Sequence, residues 1–108
     1  MIKNVNGKDF SFLEAGDVFA VEHYKSFPNK FNPNKMQGKI LTTDGDIVFT
    51  SAAKIVKALD VLFNDPEIPD LSKYTFEVVQ VGEFNGFPVL GLKCDNPVIK
   101  KKLMKAFF

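Results

Sequence analysis

The sequence predicts a single mostly-β domain: a five-stranded barrel with one helix between strands 3 and 4 and a short C-terminal helix. Three observations lead to this fold class. Apolar and polar residues alternate in several short runs, as is typical of half-buried strands, and two pairs of runs are separated by the hairpin dipeptides Asp44-Gly45 and Asn85-Gly86. Between these hairpins the apolar spacing changes to that of a helix. The length of 108 residues fits one domain that covers residues 1–108.

The first half of the chain predicts three strands and one long loop. Residues 17–24 alternate as a strand, and residues 25–35 hold two prolines and three asparagines, which predict a loop of a length that usually serves function. Residues 35–43 and 46–50 alternate again. Asp44-Gly45 predicts a type I′ turn between them, with positive φ at both residues. Residues 9–14 fit either a short strand or a single helical turn.

The second half predicts a helix, a hairpin and a final helix. Thr50-Ser51 offers a hydroxyl cap, and the stripe that follows has helical spacing: Ala52, Ile55, Val56, Leu59, Leu62 and Phe63. Residues 74–81 and 87–94 predict two strands joined at Asn85-Gly86. Asn96-Pro97 predicts the start of a short helix that packs through Ile99, Leu103 and Phe107. This order of elements is that of the OB-fold, a partly closed barrel that binds oligonucleotides and oligosaccharides; an SH3-like barrel is the competing topology.

The charges are segregated along the chain, although the formal net charge is only +1. All fourteen basic residues are lysines. Residues 23–43 and 96–108 together hold eight of these lysines and no acid, which leaves six lysines against thirteen acids elsewhere. Two basic patches on a nearly neutral chain are typical of phosphate binding. Ordinary solubilising lysine is the alternative explanation.

The predicted first loop and the second hairpin combine lysines with aromatic residues. Single strands are bound without sequence preference by positive charges on the phosphates and by aromatic rings that stack on bases. We therefore predict a nucleic-acid-binding site made of Tyr24, Lys25, Phe27, Lys30, Phe31, Lys35, Lys39, Phe49, Phe84 and Phe87. For Phe27 and Phe31 the alternative is anchoring of the loop into the core, and for Phe49 and Phe87 it is core packing. The predicted core phenylalanines are Phe10, Phe19, Phe63 and Phe76.

Catalysis and cofactors have little support in the sequence. His23 is the only histidine and Cys94 the only cysteine, and no cluster shows metal-ligand spacing. Asp44 and Asp46 flank Gly45 as in a calcium loop, but the later ligands are missing. We expect no enzymatic activity, no cofactor and no metal. The lack of a long apolar run and of a signal peptide predicts no membrane span and a cytoplasmic location.

About half of the chain resembles a known family. The resemblance rests on the block GKILTTDGDIVFTSAAKIVKALDVL and on the strands YTFEVVQV and FPVLGLK. These segments resemble the small single-stranded DNA-binding proteins encoded by bacteriophages, which are OB-folds, because a strand ending in FTS leads directly into an amphipathic helix. The resemblance implies single-stranded DNA as partner, replication or recombination proteins as further partners, and the host cell cytoplasm as location. Family members often end in an acidic tail, whereas this chain ends KKKLMKAFF.

Two functions are predicted from these features. The leading hypothesis is binding of single-stranded DNA with little sequence specificity, by lysine–phosphate contacts and aromatic stacking, in phage DNA replication or recombination. The absence of arginine favours backbone contact over bidentate recognition of guanine. The alternative is a protein-interaction module that binds a host or replication protein through its Phe-rich loops and Phe107-Phe108. A homo-oligomer is compatible with either function.

Overall fold

The computed structural model describes residues 10–107. In chain order the elements are β1 (Phe10–Phe12), β2 (Val18–Phe19), β3 (Val21–Pro28), β4 (Met36–Thr42), β5 (Ile47–Thr50), α1 (Ala53–Phe63), a 3-10 helix (Leu71–Lys73), β6 (Phe76–Phe84), β7 (Phe87–Cys94) and α2 (Pro97–Phe107). The chain is mostly β, with one helix in the middle and one at the C-terminal end. None of the helices in this part of the chain has the length and apolar character needed to cross a membrane.

The strands form two separate sheets, and the predicted five-stranded OB-fold barrel is wrong. One sheet has the order β1-β5-β4-β3 and the other has the order β2-β6-β7. β1 runs parallel to β5, and the other neighbours are antiparallel. Only Ala20 separates β2 from β3, so the chain changes sheets at that residue. Within residues 10–107, β7 pairs with β6 alone, so no strand pairing closes the two sheets into a barrel. The helix α1 accordingly lies between the fifth and sixth of seven strands.

The first loop is shorter than predicted because β3 continues to Pro28. Lys25 and Phe27 pair with Lys39 and Gln37 of β4. The hydrogen bonds of this ladder outweigh the turn-forming composition, and a proline is tolerated at the end of β3 because β3 is an edge strand. The loop that remains covers residues 29–35.

The two hairpin turns differ in their backbone conformation. Asn85 has a φ of 51° and Gly86 a φ of 81°, which fits the type I′ turn that Asn-Gly favours. At the first hairpin Gly45 has a φ of 88° but Asp44 does not have a positive φ, so the type I′ prediction is wrong there. Thr42 closes that connection instead, since its Oγ1 accepts a hydrogen bond from the Asp46 N–H at 3.1 Å.

The two helices begin in different ways. At α1 the N-cap is Ala52, and no side chain of the described residues caps the first turn. Thr50, one of the two predicted cap residues, instead accepts a hydrogen bond from the Ala52 N–H at 3.2 Å. At α2 the predicted cap is confirmed, because Asn96 Oδ1 accepts from the N–H groups of Val98 at 3.0 Å and Ile99 at 3.2 Å.

One hydrophobic core joins both sheets and both helices. Its members include Tyr24, Ile40 and Val48 from the four-stranded sheet, Phe76, Val78 and Leu92 from the three-stranded sheet, Ile55 and Leu59 from α1, and Ile99 and Leu103 from α2. Phe19 and Phe76 are buried as predicted, with ring centroids 6.0 Å apart, and the half-buried Phe63 packs against this core. Cys94 is also buried. The side chains predicted for the core at Phe10 and for α2 packing at Phe107 lie outside the described part of the protein.

Candidate nucleic-acid interface

The four-stranded sheet has one buried face and one open face. Tyr24, Ile40 and Val48 are register partners on β3, β4 and β5, and all three are buried. Successive side chains of a strand point to opposite faces of the sheet. Lys25, Lys39 and Phe49 each lie next to one of these three along the chain and therefore point away from the core, onto a surface that we call the outer face.

A single row of side chains crosses the outer face from one edge of the sheet to the other. Phe12 on β1 pairs with Phe49 on β5, Phe49 pairs with Lys39 on β4, and Lys39 pairs with Lys25 on the edge strand β3. Phe27, two residues further along β3, lies on the same face. The outer face is defined here by these five residues. Four of them belong to the predicted site, and β-sheet register brings them together.

The three phenylalanines of the outer face form a continuous band. The ring centroids of Phe12 and Phe49 lie 6.1 Å apart, and those of Phe27 and Phe49 lie 6.5 Å apart. Both distances are within the range of favourable aromatic pairs. Phe27 and Phe49 are half-buried, whereas Phe12 is 54% exposed. An unstacked base can contact aromatic surface of this kind, with about 1–3 kcal/mol gained for each stacked base.

The two lysines of the outer face lie directly opposite each other. Lys25 and Lys39 are register partners and both are exposed. Like charges on directly opposite residues destabilise a sheet. Among residues 10–107 neither lysine forms an ion pair with a carboxylate. An anion bound between the two ammonium groups would relieve their repulsion. A phosphate of a nucleic acid whose bases contact the neighbouring phenylalanines would be such an anion.

A groove adjoins the outer face where β1 and β5 end and β4 begins. Its volume is about 890 Å³, and its lining includes Phe12 and Leu13 on one side, Phe84, Phe87 and Pro88 of the β6–β7 hairpin on the other, and Lys35, Lys54 and the start of α1. Phe84 and Phe87 are register partners at the hairpin tip and are 70% and 73% exposed. Phe12 belongs to both the outer face and the groove, so the two form one continuous surface.

A second, smaller cavity adjoins the groove at the start of α1. It has a volume of about 420 Å³ and shares Lys35, Ser51 and Ala53 with the groove. The first turn of α1 has no acidic residue, and no side chain of the described residues caps it. The partial positive charge at this helix start therefore adds to that of Lys35.

Tyr24 does not belong to the interface, contrary to the prediction. Its ring is buried in the core, and its hydroxyl donates a hydrogen bond to the backbone oxygen of Val56 at 3.1 Å. Burial, together with the nearby Asp60, raises the pKa of the Tyr24 hydroxyl well above its usual range. A ring held in this way joins β3 to α1 and cannot stack on a base.

The remaining predicted residues lie on the loop 29–35. Asn29 shapes this loop, since its Oδ1 accepts hydrogen bonds from the N–H groups of Phe31 at 2.8 Å and Asn32 at 3.2 Å. Phe31 is 91% exposed, so it does not anchor the loop in the core. Neither Phe31 nor the exposed Lys30 lines the groove, whereas Lys35 does. Stacking by Phe31 and phosphate contact by Lys30 stay predictions.

Phe12 and Lys54 are among the interface residues that the sequence analysis did not predict. Phe12 lies in a segment that fits either a strand or a helical turn, and the alternation of Phe10 with Phe12 was the available signal for a strand. Lys54 follows the predicted helix cap, and nothing in the local sequence indicates that it lines a groove shared with the distant Phe84.

The described residues form no metal-binding cluster. Within residues 10–107 no three His, Cys, Asp or Glu side chains come together in a group that could hold a metal ion. The exposed ring of His23 contacts the ring edge of Phe63, with centroids 5.5 Å apart.

Comparison with family models, with curated proteins and with solved structures finds no match to this chain. Only the geometry and chemistry of the site therefore bear on the function.

Proposed function

We propose that this protein binds single-stranded DNA with little sequence specificity, through the outer face and the adjoining groove. The observation that carries the proposal is one row of paired residues across the sheet. In this row Lys25 and Lys39, which we call the lysine couple, lie directly beside Phe49, which in turn pairs with Phe12. Positive charge for phosphates and aromatic surface for bases are the two requirements of such binding. A role in DNA replication or recombination belongs to the same proposal.

The chemistry of the site favours single strands over duplex. The half-buried rings of Phe27 and Phe49 lie close to the sheet surface, so they reach a base only when that base is unstacked from its neighbours. Lysine acts as a point charge on a phosphate and lacks the planar fork that arginine uses to recognise guanine. The expected binding is therefore selective for single strands and nearly indifferent to sequence.

The groove extends the surface available to a bound strand. A strand that lies along the Phe12–Phe49–Phe27 band meets the groove at Phe12, where the hairpin tip supplies Phe84 and Phe87. Lys35 lines the same groove and is exposed. Bases in the groove would contact the hairpin rings while Lys35 contacts a phosphate.

A second candidate function is docking of a protein partner on the hairpin. The tip presents exposed apolar side chains at Val81, Phe84 and Phe87, and exposed apolar clusters often mark protein interfaces. This alternative uses the hairpin but not the lysine couple. Variants of Lys25 and Lys39 therefore separate the two candidates.

The test is fluorescence anisotropy with a labelled oligo-dT, its duplex and an RNA of equal length, at two salt concentrations. We expect oligo-dT to bind more tightly than the duplex. Lys25→Gln combined with Lys39→Gln should weaken oligo-dT binding and flatten its salt dependence by roughly 0.7 in log–log slope for each phosphate that the variant no longer neutralises. The control is Lys73→Gln, which removes one positive charge from an exposed lysine on the 3-10 helix and should change neither quantity.

Removal of the lysine couple should also leave the fold at least as stable. Replacing either member relieves a repulsion between directly opposite charges, so the free energy of unfolding should stay constant or rise by about 0.2–1 kcal/mol. Equal affinity of the protein for single strands and duplex, or unchanged oligo-dT binding in the double variant, would contradict the proposal. The hairpin would then become the leading candidate as a protein-docking site.

A further inference from the structure

The second acid-free lysine segment of the sequence lies on α2, away from the outer face. Of its lysines, Lys100, Lys101 and Lys105 are exposed. Among residues 10–107 no carboxylate forms an ion pair with any of these three. We call them the α2 lysine face. Their three positive charges lie outside the proposed interface on the four-stranded sheet.

The fourth lysine of α2, Lys102, forms ion pairs with two carboxylates. Lys102 Nζ lies 2.6 Å from Asp65 Oδ2 and 3.0 Å from Glu67 Oε2, in the segment that follows α1. These contacts hold α2 against the body of the protein, together with the buried side chains of Ile99 and Leu103. The rotation of α2 about its axis is thereby set. The three lysines of the α2 lysine face point into solvent as a consequence.

The α2 lysine face and the outer face are separated by the hydrophobic core. The core contains Ile99 and Leu103 of α2 and also Ile40 and Val48, whose strand neighbours form the outer face. The helix α1 packs on the inner side of the sheet, where the Tyr24 hydroxyl bonds to it, and α2 packs against α1 and β7. The two sets of lysines thus lie on different surfaces of a molecule about 34 × 32 × 25 Å in size.

We propose that the α2 lysine face binds the phosphate backbone of a second segment of nucleic acid, so that one molecule holds two segments at once. This proposal rests on the proposed function of the outer face. Among the described side chains, the exposed apolar neighbours of these lysines are Val98 and Met104, neither of which is aromatic. In this part of the helix the α2 lysine face therefore supplies charge without an aromatic surface for bases. It should accept duplex and single strands alike, unlike the outer face.

The chemistry favours a phosphate backbone over other anions. Three compact ammonium groups within two turns of one helix attract the closely spaced phosphates of a nucleic acid, and each contact releases bound counterions from it. Lys101 and Lys105 are four residues apart and so lie on the same side of the helix. Lys100 flanks them. Binding to such a surface depends on salt and hardly at all on base sequence.

The experiment is a two-strand capture assay with the full chain. A biotinylated oligo-dT is immobilised, protein is added, and a fluorescent duplex of roughly 20 base pairs is then offered at a roughly physiological salt concentration. We expect the unmodified protein to capture the duplex. The triple variant Lys100→Gln, Lys101→Gln and Lys105→Gln should still bind the immobilised oligo-dT, but duplex capture should fall by roughly tenfold, since three exposed positive charges are removed. Lys73→Gln is the control.

The outcomes separate this proposal from the function of the outer face. If the protein does not bind immobilised oligo-dT, the proposed function fails. If it binds oligo-dT but captures no duplex, the second site is overturned while the first stands. If the triple variant captures duplex as well as the parent does, bridging arises elsewhere or from two copies of the chain, and the proposal is again overturned.

Two further measurements complete the assay. Thermal unfolding of the triple variant should match the parent, because all three lysines are exposed. The salt dependence of duplex binding should flatten by about 0.9 in log–log slope for each lysine that contacts a phosphate. A triple variant that folds normally and yet loses oligo-dT binding would show one continuous site in place of two, which contradicts the proposal. Binding of an acidic peptide with no duplex captured would overturn it as well and would assign the α2 lysine face to a protein partner.

Discussion

The replacement Phe12→Ala tests whether the aromatic band serves binding more than folding. Phe12 is 54% exposed, so slightly less than half of its surface is buried. Full burial of a phenylalanine contributes about 1.5–3 kcal/mol, so the lost burial should cost about 1 kcal/mol of stability. The lost ring interaction with Phe49 adds about 0.5 kcal/mol. The expected effect on binding is of similar or greater size, about 1–3 kcal/mol if the ring stacks on a base.

In an anisotropy titration with oligo-dT this loss corresponds to roughly a 5- to 150-fold higher Kd. The salt dependence of binding should hardly change, because no charge is removed. Val61→Ala on α1, another exposed apolar position, is the control and should bind as the parent does. If Phe12→Ala binds oligo-dT with the affinity of the parent while folding normally, the aromatic band has no part in binding and the reasoning is refuted.

Three further predictions concern stability. Phe76→Ala removes a ring with 0% exposure and should cost about 3–5 kcal/mol in urea unfolding; a cost below about 1 kcal/mol would contradict the assigned core. Gly38→Ala would place a Cβ 3.0 Å from Tyr24 Cε1 and should cost about 1–3 kcal/mol by the same assay. The hydrogen bond from Lys102 lowers the pKa of Asp65, so the stabilising effect of Asp65 is complete above its ordinary pKa of about 3.9 and is lost as pH falls through the lowered pKa. The stability difference between the parent and Asp65→Asn should therefore be present at about pH 6 and shrink at about pH 2; an unchanged difference would exclude the ion pair as its cause.

Local signals in the sequence predict the helices and the second hairpin well. The apolar stripe from Ile55 to Phe63 marks α1, because burial on one side of a helix imposes its own spacing. Asn96 marks the start of α2 because its side chain satisfies backbone groups within three residues. Asn85-Gly86 marks a type I′ turn because few residues other than Asn and Gly adopt the required φ. In each case the cause and the effect lie within a few residues of each other.

Pairings between distant strands could not be predicted in the same way. The β1 segment is too short for its residue pattern to distinguish a strand from a helical turn. It forms a strand because β5 offers a parallel partner at Phe10–Phe12. β3 extends to Pro28 because β4 supplies a ladder, although the local composition favours a loop. Whether β7 pairs with the first sheet also depends on tertiary geometry, and this is why the barrel was predicted wrongly.

The candidate site shows the same division between local and distant causes. Lys25, Phe27, Lys39 and Phe49 were predicted from composition, and their common face follows from strand alternation once the register is known. Tyr24 was misassigned because its neighbours in sequence are polar, whereas its neighbours in space are the core and the backbone of α1. Exposure decides which aromatic residues can serve binding, and exposure is a property of the tertiary structure.

The most direct test of the central claim is an NMR titration of the isotopically labelled protein with oligo-dT at low salt. We predict that the backbone amide signals of the five outer-face residues, Phe12, Lys25, Phe27, Lys39 and Phe49, shift together and saturate with one affinity. The reason is that all five side chains lie on the same face of the sheet. Signals of the buried inner face should shift less. Oligo-dT binding that leaves the outer-face signals unchanged would contradict the claim.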